Sequence, residues 1–328
     1  MSAMRQLHIS EYINSYFEKS VITIGNFDGV HCGHREIFRH LKQQANVRGI
    51  PSVVVTFEPH PLAILAPDSA PPLITTPAQK TALIAESGID CLATITFTRE
   101  FSMISADTFV RNILCGSLGM RHIIIGHDYA FGRDRQGNFE TLSHLGRECG
   151  FSLEDLEPVG DGDTVFSSSL ARRRVAAGDM PGAAEILGRY HTISGRVVHG
   201  RQIGATLGFP TANIETHNDL IPLDGVYAVM VALDGHCFQG ACNIGMNQTF
   251  GLNVSTIEIF LFDFIGDLYN RDLGICFVQR LRDGRKFPDA ETLIQAISHD
   301  VTASRTVLSS ANQNYVNTSA LSAVRRPL

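Results

Sequence analysis

The chain has 328 residues, 44% of them hydrophobic and 18% charged, with a formal net charge of −6. That length suggests about two domains, the composition is that of a protein with a buried core, and the acidic balance argues against a basic nucleic-acid footprint. No apolar run approaches the roughly 20 residues that span a bilayer, and the N-terminal segment shows neither an apolar signal core nor a cleavage pattern, so a cytoplasmic protein without membrane partners is expected.

Val21–Ile24 is a short β-branched run followed by a Gly-rich turn and a helical pattern that places Ile37, Phe38, Leu41 and Ala45 on one face. Val53–Phe57, Thr94–Phe97 and His122–Ile125 read as further buried strands. Ser105 is placed to cap a helix bearing Ala106, Phe109, Val110, Ile113 and Leu114 on one face, with Gly119 as its stop. This alternation predicts an α/β domain, a doubly wound parallel sheet with helices on both faces. After the helical segment Pro181–Leu187 the pattern changes. Thr192–Val198, Gly225–Leu233, Phe238–Asn243, Thr256–Phe264 and Ile275–Arg282 are short strand candidates broken by Gly, Asn and Asp, which predicts a small antiparallel barrel or sandwich. A helix over Ala290–Val307 follows. The expected division is 1–187, 188–308 and a flexible tail over 309–328.

The seven cysteines contain no CxxC pair, so neither a structural zinc site nor a disulfide framework is expected. Cys237 and Cys242 would meet only if a hairpin brought them together.

Gly25-Asn26-Phe27-Asp28-Gly29-Val30-His31-Cys32-Gly33-His34 lies between a predicted strand and a predicted helix. Helix N-termini offer unpaired N–H groups and a positive dipole end, glycine permits close backbone approach, and two imidazoles three residues apart can face one phosphate. An HxxH metal site lacks its third ligand and the i, i+4 spacing; a plain loop is the bland alternative. Phe57-Glu58-Pro59-His60-Pro61, Gly126-His127-Asp128-Tyr129-Ala130-Phe131-Gly132 and Ser167-Ser168-Ser169 each follow a strand, and ligands of open α/β sheets bind at such ends. Singly, each has a structural reading. His60 can shape a turn, Asp128 can cap a loop, Ser169 can be a helix N-cap, and Arg172 can be a solvated charge rather than a phosphate clamp.

These motifs resemble the nucleotidyltransferase domain of the prokaryotic bifunctional riboflavin kinase/FMN adenylyltransferase (FAD synthetase) family. The family's SSTxIR-type element stands here as Ser167-Ser168-Ser169-Leu170-Ala171-Arg172. The resemblance implies that His31 and His34 stabilise charge as FMN attacks the α-phosphorus of ATP. It implies nucleotide contacts from Gly25, Asn26, Phe27, Asp28, Gly33, Asp128, Ser168, Ser169 and Arg172, flavin contacts from His60 and Phe131, and Mg²⁺ bridging the phosphates.

In the second half, Pro210-Thr211-Ala212-Asn213 offers hard oxygen ligands suited to Mg²⁺, a weak signal alone. Glu258 sits in the apolar strand Thr256–Phe264, where alternation allows it to face solvent or a cleft. A carboxylate there can serve as the base of a phosphoryl transfer. Gly195-Arg196-Val197-Val198-His199-Gly200, Leu207–Asn213, Asn243-Ile244-Gly245 and Asp263–Tyr269 resemble the riboflavin kinase domain of the same family, in order. That implies Mg-ATP contacts from Gly208, Pro210, Thr211 and Asn213, with Thr211 and Asn213 toward Mg²⁺. It also implies activation of the ribityl hydroxyl by Glu258 and flavin contacts from Arg280 and Arg282. The expected substrates are ATP, riboflavin and FMN. Ala205, Gln248 and Gly284 depart from the family pattern, all in the kinase half. The alternative is an adenylyltransferase alone, with the barrel as a flavin-binding module. A flavin-responsive protein without turnover is a third reading, which the intact histidine pair and Glu258 oppose.

Overall fold

The computed structural model describes residues 3–9, 15–126, 130–133, 136–200, 208–249 and 252–316. The chain divides into two compact units, one of Met1–Pro71 and Leu83–Phe166, the other of Pro72–Ala82 and Ser167–Leu328. In the first, β1 (Arg5–Ile9), β2 (Ser20–Ile24), β3 (Ser52–Glu58), β4 (Cys91–Thr96), β5 (Met120–Gly126) and β6 (Ser152–Leu156) form one sheet in the order β1-β4-β3-β2-β5-β6. Every pairing in it is parallel. Val53, Val54 and Val55 are all fully buried, as a strand covered on both faces requires.

Helix α1 (Cys32–Arg48) buries Phe38, Leu41 and Ala45 and ends at Gly49, whose φ of 64° is the left-handed cap. The opposite face of the sheet carries α5 (Ala106–Thr108), which continues as a π-wound stretch over Phe109–Ser117, and α6 (Phe139–Cys149). Phe109, Val110, Ile113, Leu142 and Leu145 pack there on Ile22, Ile24, Val53, Val55, Ile123 and Ile125. Ser105 caps α5 as expected, accepting from Thr108 N–H. The short elements α2 (Pro61–Leu65), α3 (Pro77–Glu86), α4 (Arg99–Ser102) and the β7/β8 ribbon (Gly160–Asp161, Thr164–Val165) complete this half of the chain.

The second unit contains α7 (Ser168–Ala176), α8 (Met180–Leu187) and a closed six-stranded barrel. Its strands are β9 (His191–Val198), β10 (Ala212–Thr216), β11 (Gly225–Leu233), β12 (His236–Thr249), β13 (Leu252–Leu261) and β14 (Asp272–Arg282), joined in the ring β10-β13-β12-β11-β14-β9. All pairings are antiparallel. Closure leaves no unpaired edge. Tyr227 and Phe277, both fully buried, meet edge to face at 5.3 Å.

The structure draws several bounds differently from the sequence. The predicted strand Thr256–Phe264 ends at Leu261, because Phe262 and Asp263 already turn. Cys237 and Cys242 lie on one strand, β12, so no hairpin brings them together. The predicted flexible tail begins with packed chain. The last helix, α9 (Ala290–Ser309), runs on to a short turn where Tyr315 meets Tyr190 at 5.5 Å and accepts its backbone N–H; residues 317–328 lie outside the described residues. Helices α7 and α8, expected with the first domain, group with the barrel. So does Pro72–Ala82, whose Gln79 accepts from the Asn218 amide at 2.8 Å.

Candidate functional site

The strand order of the parallel sheet reverses between β2 and β5, and the crevice at the carboxyl ends of such strands is where ligands bind. The chain leaving β2 there makes a tight turn with positive φ at Phe27 (49°), Gly29 (77°) and Val30 (40°). His31 then caps α1, its Nδ1 accepting the Gly33 N–H at 3.2 Å. His34 stacks on His31 with ring centroids 3.6 Å apart and planes 27° from parallel. Phe27 props the pair from below, edge to face with His34 at 5.1 Å and with Phe38 at 5.0 Å. Two glycines make the room. A Cβ on Gly33 would sit 3.0 Å from the His31 ring, and one on Gly25 would sit 2.9 Å from the Phe27 ring. The first turn of α1 holds no acidic residue to offset its positive dipole end. The arrangement suits an anion.

His60, after β3, joins this cluster. It caps α2 by accepting the Leu62 N–H at Nδ1 (3.2 Å), and its Nε2 lies 3.2 Å from the Asn26 amide. With Nδ1 accepting, the neutral ring carries its hydrogen on Nε2, so Asn26 must present its oxygen. Asp28 is buried. Phe131, an expected flavin contact, belongs to the apolar core, 6% exposed and 5.9 Å from Phe109. Asp128 lies outside the described residues.

At the start of α7 the N-cap is Ser167, which accepts from Leu170 N–H at 3.2 Å; the capping role open to Ser169 therefore falls two residues earlier. Ser168 and Ser169 occupy the first helical turn, which also lacks an acidic residue. Arg172 is half-buried, with Nε donating to the Pro72 carbonyl at 2.9 Å.

On the barrel, Glu258 pairs across β13 with Asn213 of β10 on one side and Asn243 of β12 on the other. The flanking Ala212, Ile214, Cys242, Ile244, Ile257 and Ile259 are buried. By alternation the carboxylate and the two amides therefore share the outer face of the wall. Gly200 lies beneath Asn213, where any Cβ would overlap the amide. Thr211, half-buried, immediately precedes β10, while Gly208 and Pro210 are exposed. Asn243 and the stacked pair His199–Tyr269, 3.9 Å between centroids, are additions to the expected site. Both lie in motifs noted from sequence, but only the strand register sets Asn243 beside Glu258.

The two expected flavin arginines differ. Arg282 is committed to α9, bidentate to the buried Asp300 at 2.8 and 2.7 Å. Arg280 pairs with Asp283 at 2.8 Å and donates to the Asp224 carbonyl, while its buried Nε has no hydrogen-bond partner among the described residues. Gly178 and Gly225 leave space for its side chain. Burial, only partly countered by Arg280, pushes the neighbouring Tyr227 up to about 12, so it stays a donor to the Leu223 carbonyl. Of the three departures, Gly284 is exposed after β14, Gln248 falls on β12, and Ala205 lies outside the described residues.

Among the described residues no group of three or more His, Cys, Asp or Glu can hold a metal, and no helix is long and apolar enough to cross a membrane. A parallel-sheet unit with an anion-receiving helix start, followed by a closed barrel bearing a carboxylate between two amides, defines a two-domain transferase acting on nucleotides. The FAD synthetase family matches residues 13–170, and the riboflavin kinase family matches residues 187–308. A bifunctional riboflavin kinase/FMN adenylyltransferase from Pseudomonas fluorescens is 41% identical over 87% of this chain and 92% of its own length. The Escherichia coli K12 protein of that name is 35% identical over 88% and 92%. A crystal structure described as a macrolide-efflux protein from Streptococcus pneumoniae superposes with a TM-score of 0.85 at 28% identity, over 92% of this chain and 99% of that one. The chain belongs to the bifunctional riboflavin kinase/FMN adenylyltransferase family.

Proposed function

We propose that this chain makes FAD from riboflavin in two steps, and that each family match carries its own polar constellation for one of them. That pairing of constellation with match is the observation on which the reading stands. In the second match, Glu258 takes the proton of the riboflavin 5′-hydroxyl as its oxygen attacks the γ-phosphorus of ATP, giving FMN and ADP. Asn213 and Asn243 flank the carboxylate and orient it. In the first match, a phosphate oxygen of FMN attacks the α-phosphorus of ATP, and pyrophosphate leaves. His31, His34 and the N-terminus of α1 hold the charge that builds on the phosphate oxygens, so positioning and electrostatics supply the rate without a covalent intermediate. Gly25, Asn26, Phe27, Asp28 and Gly33 shape that loop. His60, fixed by Asn26, is the flavin-side contact. Ser168 and Ser169, near the end of the first match, and Arg172 just beyond it are the further nucleotide contacts of this reading.

The Thr211 hydroxyl and the Asn213 carbonyl are hard oxygens without a carboxylate cage, a donor set that fits Mg²⁺ held mainly by phosphates and water. The ion, when bound with ATP, neutralises phosphate charge. The substrates are ATP, riboflavin and FMN, and the enzyme works in the cytoplasm without membrane or nucleic-acid partners. The test is to incubate the purified protein with Mg-ATP and either riboflavin or FMN and to separate the flavins. FMN and FAD from riboflavin, and FAD from FMN, are expected. FAD from FMN without any FMN from riboflavin would leave only the adenylyltransferase; no new flavin from either substrate would overturn the reading.

A further inference from the structure

An electrostatic cradle that makes the α-phosphorus of ATP reactive toward FMN also makes it reactive toward water. Adenylyl transfer at the start of α1 therefore needs an element that shuts water out. The β7/β8 ribbon stands where such an element would act. It follows β6, whose carboxyl end lies at the same edge of the parallel sheet as the turn after β2. Its root reaches the site. The half-buried Val159 has its Cβ 3.9 Å from where a Cβ on Gly33 would lie, and Gly33 is the residue whose N–H His31 accepts.

The ribbon is also built to swing. Among the described residues β7 and β8 form a sheet of their own, through the pairs Gly160–Val165 and Asp161–Thr164. Glu157 and Pro158, which join it to β6, are exposed, and so is every residue from 160 to 165. At the root the Phe166 N–H donates to the Val159 carbonyl at 2.8 Å, so the two legs leave together. A hairpin bonded to itself, closed at its root and exposed along its length can move as one piece at little cost in packing.

We propose that the β7/β8 ribbon is a lid of the adenylyl-transfer site, closing over the start of α1 when Mg-ATP is bound, with Val159 as its positioning residue. The inference rests on the adenylyl-transfer reading of the first match. Open, the ribbon admits ATP and FMN. Closed, it keeps water from the α-phosphorus and leaves the FMN phosphate as the attacking oxygen. Where the lid fails, a water oxygen bonds to that phosphorus, the bond to the pyrophosphate oxygen breaks, and the proton passes to solvent, giving AMP and pyrophosphate. The ratio of AMP to FAD therefore reports the lid, whereas damage to the fold lowers both products together.

The full-length protein is digested with an endoproteinase that cuts before aspartate, with and without Mg-ATP at a concentration that saturates FAD formation, and the cuts are mapped by mass spectrometry. Cleavage at Asp161 and Asp163 should slow roughly tenfold or more with Mg-ATP, because proteolysis follows the open population. Cleavage at Asp234, 67% exposed in the turn between β11 and β12, should not change. Protein that makes FAD but shows no slowing at the ribbon, or equal slowing at Asp234, would overturn the lid; protein that makes no FAD would instead overturn the reading beneath it. Replacing Asp161–Thr164 by two glycines should raise the AMP formed per FAD roughly tenfold, and Val159→Ala should move the ratio the same way. Should the shortened ribbon fail to fold, the wild-type digest decides alone. FAD formation that falls in folded variants with an unchanged ratio would make the ribbon structural only and overturn the assignment.

Discussion

The imidazole of His34 lies over that of His31 at 3.6 Å, and the residue that permits this is Gly33, whose missing Cβ would press on the lower ring. The pair stands at the N-terminus of a 17-residue helix with no acid in its first turn. On the proposed reading, the pair faces the phosphate that this helix end would hold.

Replacing both histidines by alanine should abolish FAD formation from FMN and leave riboflavin phosphorylation intact. On the proposed reading, the second reaction is carried by Glu258 and its neighbours on the barrel. Flavins separated after each reaction give the answer, and circular dichroism checks the fold. Wild-type FAD synthesis by the folded double variant would remove the pair from the mechanism.

Gly33→Ala tests positioning. Alanine has the better helix propensity, so stability should hold or rise. The added methyl would displace the His31 ring. A fall in kcat for FAD formation of roughly tenfold or more is expected, because displacements near 1 Å cost about 10²-fold in well-oriented reactions. Unchanged turnover would show that the ring position is not used.

Glu258→Gln keeps shape and removes the proposed base. FMN production at saturating Mg-ATP should fall by roughly 10²–10⁴ with little change in the Michaelis constant for ATP. A rise in that constant at constant kcat would make Glu258 a binding residue instead.

The Arg282–Asp300 pair ties β14 to α9 by two charged hydrogen bonds. Asp300→Ala leaves the guanidinium half-buried without its partner, and should cost about 2–4 kcal/mol in urea unfolding. A loss below ~0.5 kcal/mol would mean that the pair is a solvated surface contact. The effect on flavin affinity of Arg282→Ala should be smaller than that of Arg280→Ala, whose Nε is not used in the fold.

Asp90 carries the pH prediction. Burial pushes its carboxyl up, but Lys42 at 2.6 Å and the Ser52 N–H and hydroxyl at 2.9 and 2.7 Å outweigh that and hold it below the usual range. A depressed folded value means stability that is present above the unfolded value near ~4 and lost as pH falls through the folded one. The carboxylate is 41% exposed, so solvent screens much of the charge effect; Asp90→Asn should therefore lower stability at pH 7 by only about 0.5–1 kcal/mol, and the gap to wild type should close toward pH 3. A gap independent of pH would assign the loss to geometry rather than charge.

The sequence by itself determined the local grammar: the Val21–Ile24 strand, the glycine turn, the histidine cap and the helix face of Phe38, Leu41 and Ala45, all within reach of one another along the chain. It also marked five of the six barrel strands, β10 being the one not anticipated, and the glycine motifs between them. Alternation alone left Glu258 facing either solvent or a cleft. Only the register of β13 with β10 and β12 set Asn213 and Asn243 beside it. Arg280 and Arg282 look alike in sequence, and the docking of α9 decided that one is held by Asp300 and the other is not. Phe131 sits among loop-forming residues, yet tertiary packing put it in the core. β1 was not anticipated, because a five-residue edge strand owes its place to its parallel neighbour β4, far along the chain. The hydrogen bond between Gln79 and Asn218 spans 139 positions, and Arg111 reaches the Cys149 sulfur from 38 positions away. Such contacts depend on how elements pack, and no periodicity within either element encodes its partner.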